Sequence, residues 1–267
     1  MTVLPKHVVA GQGPDAVLLL HGIGGGLALW GDEGSATLQA LATSGVRAVA
    51  LDLPGYGGSA AQGPPTLADM VDAVVAVARL MGARRLALVG HSMGGMVAQE
   101  LLATRAGLAV HALVLACTSP AFGKAGGDWQ ARFVAERLAP LDAGLGMVGM
   151  AEQLVPTMVS SQAVASAQAQ AMAVMARVPE ATYRAALKAI VAFDRRAELP
   201  ALSMPTLCLA AEHDRTAPPE VMQRMAAKIP QARFQCLSGA GHIANVEQPE
   251  AFNAAVLAFL RLHRFGS

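Results

Sequence analysis

The chain has 267 residues, 54% of them hydrophobic and 15% charged, with a formal net charge of +1. That is enough apolar sequence for one large α/β domain or two small ones; with aromatics at 4%, Ala, Leu, Val and Met must fill most of the core. The near-neutral charge gives no electrostatic basis for binding nucleic acid or an anionic membrane. No apolar run reaches transmembrane length and MTVLPKHVVAGQGPD has no signal-peptide pattern, so a soluble, cytoplasmic protein is expected.

The elements alternate along the chain. The first convincing strand, Ala16–His21, is apolar and runs into the glycine-rich HGIGGG. A second, Val46–Leu51, leads to DLPGYGGS at residues 52–59. A helix is predicted over Thr66–Met81, where Met70, Val71, Val74, Val77, Ala78 and Met81 recur close to helical spacing. Pro65 and Thr66 suit its start and Gly82 its end. Strand Leu86–Gly90, helix Met93–Arg105 and strand Ala112–Ala116 come next. Strand Thr206–Ala210, helix Pro219–Lys228, strand Arg233–Leu237 and helix Pro249–His263 complete the pattern. Short apolar strands alternating with helices predict a mostly parallel sheet covered on both faces.

One region breaks the rhythm. Residues 120–199 hold no convincing strand and are rich in Ala, Met, Gln and Arg, from PAFGKAGGD to ELPALSMP. They read as an inserted helical cap, with 1–119 and 200–267 forming the core. Cys117, Cys208 and Cys236 each sit in an apolar run at wide spacing. They read as buried small hydrophobes, with neither a disulfide framework nor a zinc pattern.

The stretch LVGHSMGGMV at residues 88–97 places one serine among glycines between a strand and a helix. Strand, G-x-S-x-G, helix is the pattern of a nucleophile elbow: Gly90 and Gly94 let strand and helix pack around a sharp turn with Ser92 at its tip. On its own, the pattern is also compatible with a glycine-rich turn that does no chemistry.

A serine nucleophile needs a base, and the base needs an orienting carboxylate. After strand PTLCLAA the chain reads EHDRTAPP, placing Asp214 in a loop; after RFQCL it reads SGAGH, placing His242 in the next. Both loops fall at the carboxyl ends of parallel strands, on the same edge as Ser92. Glu212 is the lower-ranked alternative acid, and Asp194 is expected to pair with Arg195 or Arg196. His91 and His213 are adjacent in sequence to Ser92 and Asp214 and poorly placed to serve them. His21 is expected to support its loop, and His7, His111 and His263 to be structural or on the surface. The loop HGIGGG can bring a backbone N–H to a substrate oxygen, so Ile23 and Met93 are the expected oxyanion donors, with Gly24 the alternative to Ile23. A phosphate loop is the rival reading of that stretch, but it lacks the G-K-[ST] ending.

Taken together, HGIGGG, DLPGYGGS, GHSMGG, EHD and GAGH resemble the α/β-hydrolase superfamily. The resemblance implies a sheet of about seven to eight strands with helices on both faces and an inserted cap. Little chain precedes LLLHG, so the family's first hairpin is expected to be shortened. Within the superfamily, GAGHIANVEQPEAFNAAVLAFL and LVLACTSPAFG resemble the 3-oxoadipate enol-lactonase and carboxylesterase branch. Trp129 and Arg132 match a Trp-x-x-Arg of such lactonases, and the resemblance implies that Arg132 meets a substrate carboxylate; a solvated helix face is the competing reading. The opening loop HGIGGG departs from the enol-lactonase pattern.

The resulting expectation is a serine hydrolase that cleaves a small-molecule carboxylic ester or lactone through an acyl-enzyme, with no metal or organic cofactor. Dehalogenases and epoxide hydrolases would need an aspartate in place of Ser92, and C–C hydrolases a tryptophan in place of Ile243. A cofactor-free lyase or oxygenase and a non-catalytic ligand-binding homologue are the readings from other classes. Met147, Met150, Met158, Met172 and Met175 lie in the cap; most should glue its helices together, and one or two could line an adaptable acyl pocket over Ser92.

Overall fold

The computed structural model describes residues 4–31, 37–104, 107–123 and 128–266, the Trp129 side chain excepted. Within them the strands are β1 (His7–Ala10), β2 (Asp15–Leu20), β3 (Arg47–Leu51), β4 (Arg85–His91), β5 (Ala112–Ala116), β6 (Thr206–Ala211) and β7 (Ala232–Leu237). They form one seven-stranded sheet in the order β1-β3-β2-β4-β5-β6-β7. Only β1 is antiparallel to its neighbour, with His7 opposite Leu51, so the segment before β2 supplies an edge strand. The chain passes outward from β2 to β3 and then crosses back to β4, so the order reverses between β2 and β4. Open α/β sheets bind ligands at such a switch point, beyond the carboxyl ends of the strands. The two loops that leave it are HGIGGG and GHSMGG.

Alternation along the strands builds two cores. Leu18, Leu20, Val49, Leu51, Leu88 and Leu115 face one side, against α2 (Leu67–Met81), α3 (Met93–Thr104) and α8 (Pro219–Ala226). Val17, Leu19, Ala48, Val89, Val114 and Leu209 face the other, against α1 (Thr37–Ala42) and α10 (Pro249–Leu262). α2 is delimited as its sequence implies: Thr66 and Asp69 form a reciprocal capping box, and Gly82 ends the helix in the left-handed region at φ 51°.

Between β5 and β6 run α4 (Asp128–Asp142), α5 (Gly146–Met158), α6 (Ala165–Ala176) and α7 (Glu180–Val191). A four-residue helix, α9 (Ala244–Glu247), follows β7. Cys117 and Cys208 are buried, but Cys236 is exposed, which corrects the sequence expectation. It lies on β7, the edge strand, where residues 233–236 are all exposed. Among the described residues no helix is long and apolar enough to cross a membrane, and no group of His, Cys, Asp and Glu could hold a metal ion.

Candidate active site

Ser92 stands alone between β4 and α3, with φ at 53°, a region that costs a non-glycine residue about 1–3 kcal/mol. Its neighbours fix it there. The Ser92 N–H donates to the Ala116 carbonyl at 2.9 Å, and the Thr118 hydroxyl donates to the Ser92 carbonyl at 2.7 Å. The turn closes because its flanks are glycine. A β-carbon on Gly90 would stand 2.5 Å from the Gly94 carbonyl oxygen, and one on Gly94 would collide with the Leu20 carbonyl of β2.

A hydrogen-bond chain leads away from the serine. The Ser92 hydroxyl donates to His242 Nε2 at 3.0 Å, and His242 Nδ1–H donates to Asp214 Oδ2 at 2.8 Å. Asp214 Oδ1 accepts the N–H groups of Thr216 and Ala217 at 2.7 and 2.9 Å. Burial pushes the Asp214 carboxyl upward, but His242 and these N–H groups outweigh it and hold it below the ordinary carboxylate value. Asp214 and His242 are both buried, which excludes water from their contact. Glu212 lies apart, accepting from the Ser238 hydroxyl and Gly239 N–H at 2.7 and 2.8 Å. Asp194 pairs with Arg196, while Arg195 pairs with Glu100 and Glu198.

Two further histidines pack nearby as neutral struts. His91 Nε2–H donates to the His242 carbonyl at 2.7 Å, with the two rings 5.2 Å apart. Burial, then the adjacent His242, pull the His91 pKa down to about 4. His21 Nδ1–H donates to the Gly22 carbonyl at 2.8 Å, and its Nε2 accepts the Leu53 N–H at 3.0 Å; burial lowers its pKa as well.

The HGIGGG loop runs beside the serine: a β-carbon on Gly22 would stand 3.1 Å from that of Ser92. Ile23 and Met93 line one cavity with Ser92, and Met93 is the first residue of α3, so its N–H has no carbonyl one turn earlier within the helix. Buried Asp52 holds the loop from behind, accepting the Leu27 N–H at 2.9 Å and the Gly58 N–H at 3.1 Å. Sequence reasoning did not single out Asp52; its signal is the acidic residue opening DLPGYGGS. It also missed Glu247, whose buried carboxylate accepts the N–H groups of Gly241, Ile243 and Ser160. The signal was an acid five residues beyond His242 in GHIANVE.

Over Ser92 and His242 opens a cavity of about 930 Å³, walled by Phe122, Phe133, Leu187, Ile190 and Met225 among others. Met158 and Met175 lie in the space beside Ser92 and His242. Arg132 does not line this cavity. It is exposed on α4, whereas Phe133 and Arg137, one turn apart on the same helix, both face the cavity. Of the two readings of Arg132, this position fits the solvated helix face: at roughly 100° per residue, it falls outside the stripe shared by 133 and 137. The Trp129 side chain lies outside the described residues. Arg137 Cζ sits 4.7 Å from the Phe133 ring centroid and its Nη1 is 3.9 Å from Met158 Sδ. Burial lowers its pKa despite the adjacent Tyr183 hydroxyl and the neighbouring Glu136 carboxylate.

A parallel sheet with a strand–serine–helix turn at its carboxyl edge and a histidine and an aspartate delivered by two later loops is the architecture of the α/β hydrolases. The sequence profile of the alpha/beta hydrolase family matches residues 17–255. The chain belongs to the α/β hydrolase family, and its class is hydrolase. It is 34% identical over 269 residues to a proposed carbamate hydrolase, RutD, of Variovorax paradoxus, with 96% of each chain covered. It is 30% identical over 258 residues to a pimeloyl-[acyl-carrier protein] methyl ester esterase of Aeromonas hydrophila, covering 91% of this chain and 93% of that one. The enol-lactonase of Burkholderia xenovorans superposes with a TM-score of 0.82 at 24% identity over 96% of each chain, a likeness of fold.

Proposed function

We propose that the chain is a serine hydrolase that cleaves carboxylic esters or lactones of small organic acids through an acyl-enzyme. The observation that carries this reading is the Asp214–His242–Ser92 chain, at 2.8 and 3.0 Å, opening into a largely apolar cavity. His242 takes the proton of the Ser92 hydroxyl as its oxygen attacks the carbonyl, then returns it to the leaving group. Asp214 keeps the proton on Nδ1, leaves Nε2 as the base, and stabilises the imidazolium. The N–H groups of Ile23 and Met93 receive the oxyanion. Water activated by His242 then releases the acid. These steps need no metal or organic cofactor.

On this reading residues 120–199 are a cap that roofs the acyl pocket, with Met158 and Met175 as its adaptable wall. Arg137 takes the anchoring role expected of Arg132: a half-buried guanidinium lining the cavity suits a substrate carboxylate. A carbamate presents the same kind of carbonyl, and the RutD relative brings that bond into the assay.

The test is labelling of Ser92 by a fluorophosphonate, with a panel of p-nitrophenyl esters, enol-lactones and carbamates. Ser92→Ala should lose both labelling and roughly ten-thousand-fold or more in kcat while remaining folded. Undiminished ester hydrolysis by Ser92→Ala would overturn the proposal.

A further inference from the structure

The backbone around His242 is fastened by one side chain and one cap carbonyl. Glu247 Oε2 accepts the Gly241 N–H at 2.9 Å, and Oε1 accepts the Ile243 N–H at 3.0 Å, so its carboxylate brackets the histidine from both sides. The same Oε2 accepts the Ser160 N–H at 2.8 Å, from the segment that follows α5. The intervening His242 N–H donates to the carbonyl of Met158, the last residue of α5, at 2.7 Å. Three consecutive amides of the histidine loop are thus held by groups that also hold, or belong to, residues 158–160. The approach is close enough to demand glycine at position 241: a β-carbon there would stand 2.6 Å from Ser160 N and 2.7 Å from the Met158 carbonyl oxygen.

This arrangement exceeds what anchoring the loop alone requires, for which two amide bonds to Glu247 would suffice. Ser160 and Glu247 are both buried, so water cannot readily replace their contact. Met158 also lines the space beside Ser92, so a shift of the end of α5 changes the acyl pocket and pulls on the His242 amide together.

We infer that Glu247 is a positioning residue that latches the histidine loop to the segment 158–160, so that His242 reaches Ser92 only while this segment is docked. Substrate bound in the pocket packs against Met158 and holds the latch shut; withdrawal of the segment slackens the base. The inference rests on the Ser92–His242–Asp214 reading above.

The test compares Glu247→Gln with wild type, with kcat expressed per active site titrated by fluorophosphonate. The glutamine replaces one accepting oxygen by an NH₂ group that faces backbone donors. It should lower kcat per titrated site at least tenfold, slow phosphonylation of Ser92, and leave KM within about twofold. Glu247→Asp, which keeps the charge on a shorter arm, should recover part of the loss. A purely structural role would lower the titratable fraction and the melting temperature but leave kcat per site unchanged, and that result overturns the inference. Should the glutamine variant fail to fold, hydrogen exchange on the wild type decides. Peptides spanning 156–163 and 238–247 should open together and gain protection together once Ser92 is phosphonylated; independent exchange of the two overturns the latch. If Ser92→Ala keeps full activity, the proposed function itself fails; if Ser92→Ala is inactive while Glu247→Gln keeps its kcat, only the latch fails.

Discussion

His91 ties the stability of the fold to pH. Its imidazole is buried against His242, and burial lowers its pKa from the ordinary 6.5 to about 4. Above pH 6.5 the ring is neutral in both folded and unfolded chains, so the full stability is present. Below that, the unfolded chain takes up a proton that the folded chain refuses. Stability then falls by about 1.36 kcal/mol for each pH unit, until the folded ring also protonates near pH 4. The interval from 6.5 to about 4 corresponds to roughly 3 kcal/mol, a large part of the 5–15 kcal/mol typical of a domain. His91→Gln removes the titration, and its amide can still donate to the His242 carbonyl. Urea unfolding followed by circular dichroism between pH 8 and pH 4 should therefore show the wild type losing about 3 kcal/mol more than the variant. Burial of His21 acts in the same direction but is common to both proteins and cancels. Parallel losses in the two proteins would refute the reasoning.

Asp214→Asn should stay folded yet lose most turnover with p-nitrophenyl esters, because an amide favours the wrong imidazole tautomer; Glu212→Gln, whose side chain serves Ser238 and Gly239, should not. Arg137→Ala should raise KM roughly ten- to a hundred-fold for an ester bearing a free carboxylate and hardly change it for a neutral ester of the same size, with exposed Arg132→Ala silent on both. Gly94→Ala should cost about 3 kcal/mol or more in thermal unfolding, because its β-carbon meets the Leu20 backbone. Gly63→Ala, with open space around it, should cost nothing measurable.

Much of the sheet was legible because its signals are local. The strand predicted at Leu86–Gly90 forms as Arg85–His91, and the helix predicted at Pro249–His263 forms as Pro249–Leu262, since apolar runs and bounding turn residues sit within the elements they define. β1, α1 and α9, at four, six and four residues, are too short to carry a period, and β1 is held by its pairing with β3 rather than by its own pattern. Cys236 misled because RFQCL reads as apolar whether a strand is central or at an edge; strand order alone exposes it. Arg132 and Arg137 are five residues apart on one helix, and which of them faces the cavity depends on how α4 is rotated against the sheet. Phe133 supplies that information only through its packing, including its ring contact with Phe122 at 4.9 Å.

The choice among the seven histidines shows why Asp214 and His242 were legible while their supports were not. Three of the rings, His21, His91 and His242, are buried close to Ser92 in sequence or in space. Chain order and loop position at the carboxyl ends of β6 and β7 single out His242, and both can be read from sequence. What keeps the other two from competing is hydrogen bonding across large separations. His91 spends Nε2 on the carbonyl of residue 242, and His21 fills both nitrogens with the backbone of Gly22 and Leu53. His21 has no ring nitrogen left for a serine proton, and His91, with Nε2 on backbone, carries a ring whose charge burial opposes. His242 alone has a carboxylate on one nitrogen and a hydroxyl on the other. On the proposed reading the base is thus set by subtraction as much as by placement, and the subtraction depends on contacts between segments that no spacing along the chain records.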